Sequence, residues 1–221
     1  MIRLERELPS GRRAQVRFTD RGDGDFAPDA SGVAERRASL APFGWTWLRQ
    51  VHGPDVITVD RAGEGAGTQA DAAATTVAAA VLSVCTADCA PVVLLGGAGV
   101  AAVHAGWRGT LEGVLDAAVA ALRAIDGGPV WAVLGPCIRP AHYEFGERDL
   151  DRLVDRFGPA VRARTADGRP ALDMGATVLA ALEPVVDDVV DLGHDTADDR
   201  WFSSRVRADA GRQVAAVWIE P

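Results

Sequence analysis

Val81-Leu-Ser-Val-Cys-Thr-Ala-Asp-Cys-Ala-Pro-Val-Val-Leu-Leu95 holds two apolar runs of strand length separated by Thr86-Ala-Asp-Cys89. Runs this short, rich in Val and Leu and bounded by turn formers, read as buried β-strands rather than helix. A third run, 99–104, follows the Gly96-Gly97 turn and ends in His104, just ahead of Gly106-Trp-Arg-Gly109. Reactive side chains thus sit where buried strands surface, the usual place for a site positioned by a rigid scaffold. An earlier histidine, in Gln50-Val-His-Gly53, joins the group.

Outward from this stretch, residues 2–8 and 14–18 alternate and meet at Pro9-Ser-Gly11, which predicts an edge hairpin. Asp20-Arg-Gly-Asp-Gly-Asp25 has the alternating acids of a calcium loop, but its glycines are misplaced and no glutamate closes the frame, so calcium is not expected. Ser31 is placed to cap a helix over 33–40 that Pro42 and Gly44 end. Residues 45–51 read as a strand delivering His52, and 56–59 as another. The glycine-rich 63–67 is a loop without the lysine of a phosphate-binding signature.

Strands are expected over 79–85 and 91–95, then a helix over 111–125 capped by Thr110. Leu111, Val114, Leu115, Ala118, Val119 and Leu122 repeat along one face of that helix. A strand at 130–134, helices at 147–157 and 174–183 (the second capped by Asp173) and a strand at 186–192 follow. The chain closes with a strand pair at 201–206 and 213–219. No repeat or linker divides the sequence, so one domain spanning 1–221 is expected.

The composition is that of a globular protein: 48% hydrophobic and 24% charged residues. A net charge of −8 argues against a general nucleic-acid or anionic-membrane surface, while the 23 basic residues, all arginine, leave room for a local anion site. Met1-Ile-Arg-Leu-Glu-Arg-Glu-Leu8 lacks the pattern of a secretory leader, and no run approaches a membrane span. A cytoplasmic protein with reduced cysteines is expected, and oligomeric state is not legible.

His52, Cys89 and His104 each close an expected strand beside a glycine or proline. Two neutral imidazoles and a thiolate suffice for tetrahedral zinc with a fourth position open to water, the pattern of catalytic zinc. The 36 and 14 intervening residues suit a site assembled by a sheet without being diagnostic. Two other readings stand beside this one. Cys89 is a nucleophile with His104 as its base and Asp88 or Asp71 as orienter, or Cys89 and His104 are inert residues of the core. Arg108, next to an expected helix N-terminus, either holds a phosphate or covers Trp107. Tyr143, Glu144 and Arg205 are ligand contacts or surface residues. His142 and His194 are expected at the surface and Cys85 in the core.

Gln50-Val-His-Gly53, Thr86-Ala-Asp-Cys-Ala-Pro91, His104-Ala-Gly-Trp-Arg-Gly-Thr110, Gly135-Pro-Cys-Ile138 with Tyr143-Glu-Phe-Gly146, and Phe202-Ser-Ser-Arg205 with Gly211-Arg212 resemble, in order, the laccase-domain or polyphenol-oxidase-like family. Its members are regarded as purine nucleoside phosphorylases with adenosine deaminase activity, and some are called peptidoglycan editing factors. The resemblance spans nearly the whole chain. It implies an α+β (mixed α/β) fold with two central mixed β-sheets flanked by helices, layered α/β/β/α, similar in topology to toxin-deamidase-like cysteine hydrolases. It also implies zinc on His52, Cys89 and His104, with copper as an adventitious or alternative metal. Phe18-Thr-Asp-Arg21 resembles the family's N-terminal Thr-Arg element and adds Arg21 to the pocket. The chain departs from the family in a short segment after Arg21, in Ala141-His142 where a cysteine is common, and in Ser204 where tyrosine is frequent.

The expectation is a zinc-dependent enzyme with purine nucleoside and phosphate as substrates. It would carry out phosphorolysis of adenosine, inosine and methylthioadenosine, and deamination of adenosine through water activated by the metal. Asp88 or Asp71 would transfer protons beside Cys89 and His104, and Arg108, Arg21, Gln50, Tyr143 and Arg205 would bind substrate or phosphate. The rivals are a cysteine hydrolase or amidase acting on peptidoglycan precursors, a copper-binding polyphenol oxidoreductase, and a metal-stabilised partner-binding protein. Four histidines cannot furnish both a trinuclear cluster and a His₂Cys copper site.

Overall fold

In the computed structural model, which describes residues 1–221, the two runs of the opening stretch lie in different sheets. The first sheet comprises β1 (Ile2–Glu7), β2 (Arg13–Phe18), β3 (Gly44–Trp47), β6 (Ala80–Thr86) and β13 (Gln213–Ile219), in the order β1-β2-β13-β6-β3. The second comprises β4 (Val56–Thr58), β5 (Ala72–Thr75), β7 (Ala90–Leu95), β8 (Val100–Ala105), β9 (Trp131–Leu134) and β12 (Asp188–Asp191), in the order β12-β9-β7-β8-β5-β4. Both are mixed: β3 runs parallel to β6, β4 to β5 and β12 to β9, and the other pairs are antiparallel. A hairpin of β10 (Arg162–Arg164) and β11 (Pro170–Leu172) stands apart. Ala87-Asp-Cys89 therefore carries the chain from one sheet to the other.

Strand alternation builds the layers. Leu82 and Val84 of β6 meet Val93, Leu95, Val100 and Ala102 between the sheets. Val81 faces the other way, against Phe26, Trp45 and Trp218, with Leu40 of α1 (Val33–Leu40) covering them. On the far face of the second sheet, Val92, Leu94 and Val103 pack under α3 (Val114–Asp126) and α5 (Met174–Leu182). The result is the expected α/β/β/α order. Every residue of β7 and β8 is buried, and each Val or Leu so placed contributes about 1.5–3 kcal/mol.

Local signals succeed where the element is self-contained. Helix α4 (Glu147–Phe157) has the expected bounds, and Asp173 caps α5 by accepting from the Ala176 N–H at 2.9 Å. Other expectations are corrected. Thr110 caps nothing: a short α2 (Trp107–Glu112) already contains it, and Gly113, at φ 98, interrupts the path before α3 begins. Gly32, not Ser31, precedes α1. The strand expected over 45–51 stops at Trp47, beyond which the Arg49 N–H donates to Thr68 across a loop. Residues 201–206 form no strand, because Ser203 caps α6 (Ser204–Arg207). Asp20 and Asp23 close a capping box on a 3₁₀ turn at Arg21–Asp23. No helix is long and apolar enough to cross a membrane.

Candidate metal centre

Each of three neighbouring segments contributes one donor. The continuation of β3 carries His52, the β6–β7 crossover carries Cys89, and β8 carries His104. Their ligand atoms all lie within 4.8 Å of one another. Such convergence suits three donors at about 2.0–2.3 Å from one ion. The two imidazoles meet edge to face, with centroids 4.8 Å apart.

Asp71 organises this corner. It is fully buried, and its carboxylate accepts the backbone N–H groups of Val51 (3.1 Å), His52 (2.9 Å) and Gly53 (2.9 Å), holding His52 at φ 61, where non-glycine residues are uncommon. The same carboxylate lies 2.7 Å from Nδ1 of His104, so that nitrogen carries a proton and Nε2 is the one available to an ion. Two glycines admit the start of α2. A Cβ on Gly106 would stand 2.7 Å from Cδ2 of His52 and 3.5 Å from Sγ of Cys89, and one on Gly109 would stand 2.9 Å from the Gly53 carbonyl. Three converging donors, one held in its tautomer, in a cradle that a methyl group would fill, fit a single metal ion.

Burial alone would raise the Cys89 thiol, but the charge and hydrogen bond of His104, aided by His52, bring it down to about 6. Burial would likewise lower His104, yet the Cys89 thiolate and the Asp71 carboxylate raise it to about 9. Asp71 also resists its burial, and its hydrogen bonds from His104 and the backbone keep it below the ordinary carboxylate value. Without metal, then, the corner is a thiolate–imidazolium pair backed by a carboxylate.

The triad opens on a cavity of about 810 Å³ that Tyr143 and Arg205 also line, the Arg205 guanidinium 5.2 Å above the Tyr143 ring. Asp88 sits beside it at φ 106, with Oδ1 accepting from the hydroxyls of Thr196 and Ser203 (2.7 Å each) and Oδ2 from the Arg205 N–H (2.7 Å). Gln50 lines the wall, but its amide is committed to the Cys85 backbone at 2.7 and 2.8 Å.

Two expected phosphate contacts are not among the residues lining the cavity. Arg21 pairs with Asp209 at 2.6 Å and rests over Phe202, off the cavity, and Arg108 packs over its own neighbour Trp107 at 5.0 Å. Glu144 points outward to Arg169. Cys85 turns to the Phe26 carbonyl, and burial pushes its thiol up to about 12. Sequence reasoning missed Thr86, Arg49 and Arg212 among the lining residues. For Thr86 the signal existed: alternation along β6 places it on the face of Leu82 and Val84.

Residues 28–220 match the family described as multi-copper polyphenol oxidoreductase laccase. The chain belongs to this family. Among relatives of this laccase-family chain, a Xylella fastidiosa protein named purine nucleoside phosphorylase is 39% identical over 186 residues, covering 78% of this chain and 71% of the relative. A Streptomyces coelicolor protein named purine nucleoside phosphorylase is 36% identical over 197 residues, with 85% and 80% covered. A Mycobacterium bovis protein of that name is 33% identical over 204 residues, with 87% and 81% covered. In fold, the chain is similar to a Neisseria meningitidis DUF152 protein (TM-score 0.81, 23% identity, 99% of each chain) and to YlmD from Geobacillus stearothermophilus (TM-score 0.79, 25% identity, 96% and 94%).

The laccase description itself can be tested against the donors present. Only two of the four histidines enter the cluster, since His142 pairs with Asp195 at 3.1 Å and His194 lies against Trp201. The side chains fit one ion and not a multi-copper assembly.

Proposed function

We propose that this chain is a zinc enzyme of purine nucleosides, cleaving adenosine, inosine and methylthioadenosine with phosphate and deaminating adenosine. The observation that carries this reading is the His52–Cys89–His104 cluster on the wall of a ligand-sized cavity, in a chain whose relatives are named purine nucleoside phosphorylase. Two imidazoles and one thiolate suit zinc with an open position, and the same set accepts copper when copper is in excess. When bound, the metal supplies Lewis acidity and lowers the pKa of water to about 7.

The chain's own residues do the rest. Asp71 holds the Nδ1 proton of His104 and so aims Nε2. Asp88 holds the backbone of Arg205 against the cavity. Both carboxylates already receive three or more hydrogen bonds, which favours positioning roles over the proton transfer expected from the sequence. Burial raises the Tyr143 hydroxyl, which stays protonated and able to donate, and Arg205 supplies positive charge. Of the residues expected to bind substrate or phosphate, these two line the cavity with free polar groups, whereas Arg21 and Arg108 are not in its lining.

A second reading rests on a specific observation. Cys89, His104 and Asp71 are ordered as nucleophile, base and orienting acid, with the thiol already lowered to about 6. That arrangement would serve a cysteine amidase acting on peptidoglycan precursors. Elemental analysis of freshly purified protein, with adenosine plus phosphate assayed on wild type and His104→Ala, separates the two. One zinc per chain, and release of free base or inosine that is lost in the variant, is expected. Metal-free protein with full nucleoside turnover would sink the zinc mechanism, and a Cys89-dependent amidase without nucleoside turnover would favour the second reading.

A further inference from the structure

Dividing the cavity's polar groups into those already hydrogen-bonded and those not leaves a set of donors on the metal side. Gln50 is committed to Cys85, Asp88 to Thr196, Ser203 and Arg205, and Arg212 to the carbonyls of Asp209, Ala210 and Gly211. The Tyr143 hydroxyl and the Arg205 guanidinium make no hydrogen bond or ion pair and stack on one another. The Thr86 hydroxyl is the sharpest case. Thr86 is 2% exposed and lines the cavity, yet its Oγ has no partner, which native interiors avoid. Thr110 has the other unpartnered hydroxyl, but it lies off the cavity and points to no ligand.

Direction supports the grouping. Alternation along β6 turns Thr86 to the face of Leu82 and Val84, between the sheets, whereas Cys85 turns outward to Phe26. Tyr143 lines the same cavity as His52, Cys89 and His104, which places it on the side of the triad. Of the carboxylates here, Asp71 is buried behind His104, Asp88 is offset by its three donors, and Asp29 lines the cavity from an exposed position. What remains beside the metal site is the Arg205 guanidinium and two hydroxyls, with a second unpaired guanidinium, Arg49, exposed in the lining, all of which favour an anionic acceptor.

We propose that Thr86, Tyr143 and Arg205 form an oxyanion subsite beside the metal triad, where phosphate binds with the Thr86 hydroxyl as its buried donor. This rests on the reading of phosphate as co-substrate and keeps, of the arginines expected to contact it, Arg205 rather than Arg21 and Arg108. A buried hydroxyl that lacks a partner in the free protein gains one in the complex, so Thr86 contributes to ligand binding and not to stability. Purine acceptors can use the same donors, and the experiment separates the two ligands.

Zinc-loaded wild type, Thr86→Val and Thr86→Ser are titrated calorimetrically with inorganic phosphate and, separately, with inosine. Thr86→Val is expected to keep its zinc and its melting temperature, because an isosteric methyl replaces an unpartnered hydroxyl, while phosphate affinity falls about tenfold or more. Thr86→Ser is expected to restore it. Wild type that binds no phosphate, Thr86→Val that binds it within twofold of wild type, or a selective loss of inosine alone would each overturn the proposal. A Thr86→Val chain that melts well below wild type would show a structural role and overturn it too. The broader function fails differently: phosphate bound through Thr86 with no base released from any nucleoside removes the phosphorylase reading and leaves the subsite standing.

Discussion

Asp71 has no exposed surface, yet it touches both imidazole-bearing segments: it gathers three successive N–H groups around His52 and fixes the proton of His104. One carboxylate thus determines where two of the three donors point. Asp71→Asn keeps the shape but must turn an NH₂ toward a donor. Zinc affinity is expected to drop about 10–100-fold, measured by chelator competition, with the fold retained. Unchanged affinity would mean that the two histidines are held by other contacts. Strand-end positions and the family resemblance pointed to the donors, but the role of Asp71 was legible only as one of two orienting candidates. Its four hydrogen bonds join residues far apart in sequence, which no local pattern encodes.

At the scale of elements, the Gly106-Trp-Arg-Gly109 start of α2 presses against His52 and Gly53. Gly106→Ala places a methyl 2.7 Å from the His52 ring, well inside contact distance, so the ring must swing away. Metal content after dialysis is expected to fall well below one per chain. Gly127→Ala is the control: φ is 69 there, but nothing lies within 4 Å of the added carbon. It should cost roughly 1–2 kcal/mol of stability and leave metal binding intact. Equal metal loss in both variants would refute the steric account. Elements with self-contained signals, such as α4 and the Asp173 cap, were readable from sequence. The segment 201–206 was not, because its alternation is overridden by Ser203 as a cap and by Asp88 drawing in the Arg205 N–H. Likewise the unbroken apolar period through 111–125 hid the left-handed Gly113 that divides α2 from α3.

Across the whole molecule, the triad bridges the layers. His52 follows a strand of the first sheet, His104 belongs to the second, and Cys89 lies at the crossing between them. A bound ion therefore ties the two sheets together at one end. At zinc concentrations about a thousandfold above Kd, stabilisation of about 4 kcal/mol raises the melting temperature by on the order of 10 °C. That increment depends on pH. His104, raised to about 9 in the metal-free fold, must lose a proton to bind the ion, and below about 6 the Cys89 thiol must lose another. In the metal-free fold the raised His104 loses stabilisation as pH rises toward 9 while the lowered Cys89 gains it over the same range, so the two offset and proton release on binding sets the trend. The zinc-minus-EDTA difference in melting temperature should grow from pH 6 to pH 9, and a difference that is flat or shrinking would contradict the thiolate–imidazolium assignment.

Adjacent residues on the crossover serve two different places: Cys89 belongs to the candidate metal cluster, and Asp88, strained at φ 106, carries the Arg205 wall. A shift in one peptide is felt by the other, so occupancy of the two places is not independent. Linkage is symmetrical for equilibrium binding. Whatever factor the ion applies to the affinity of a ligand against Arg205, that ligand applies to the affinity of the ion.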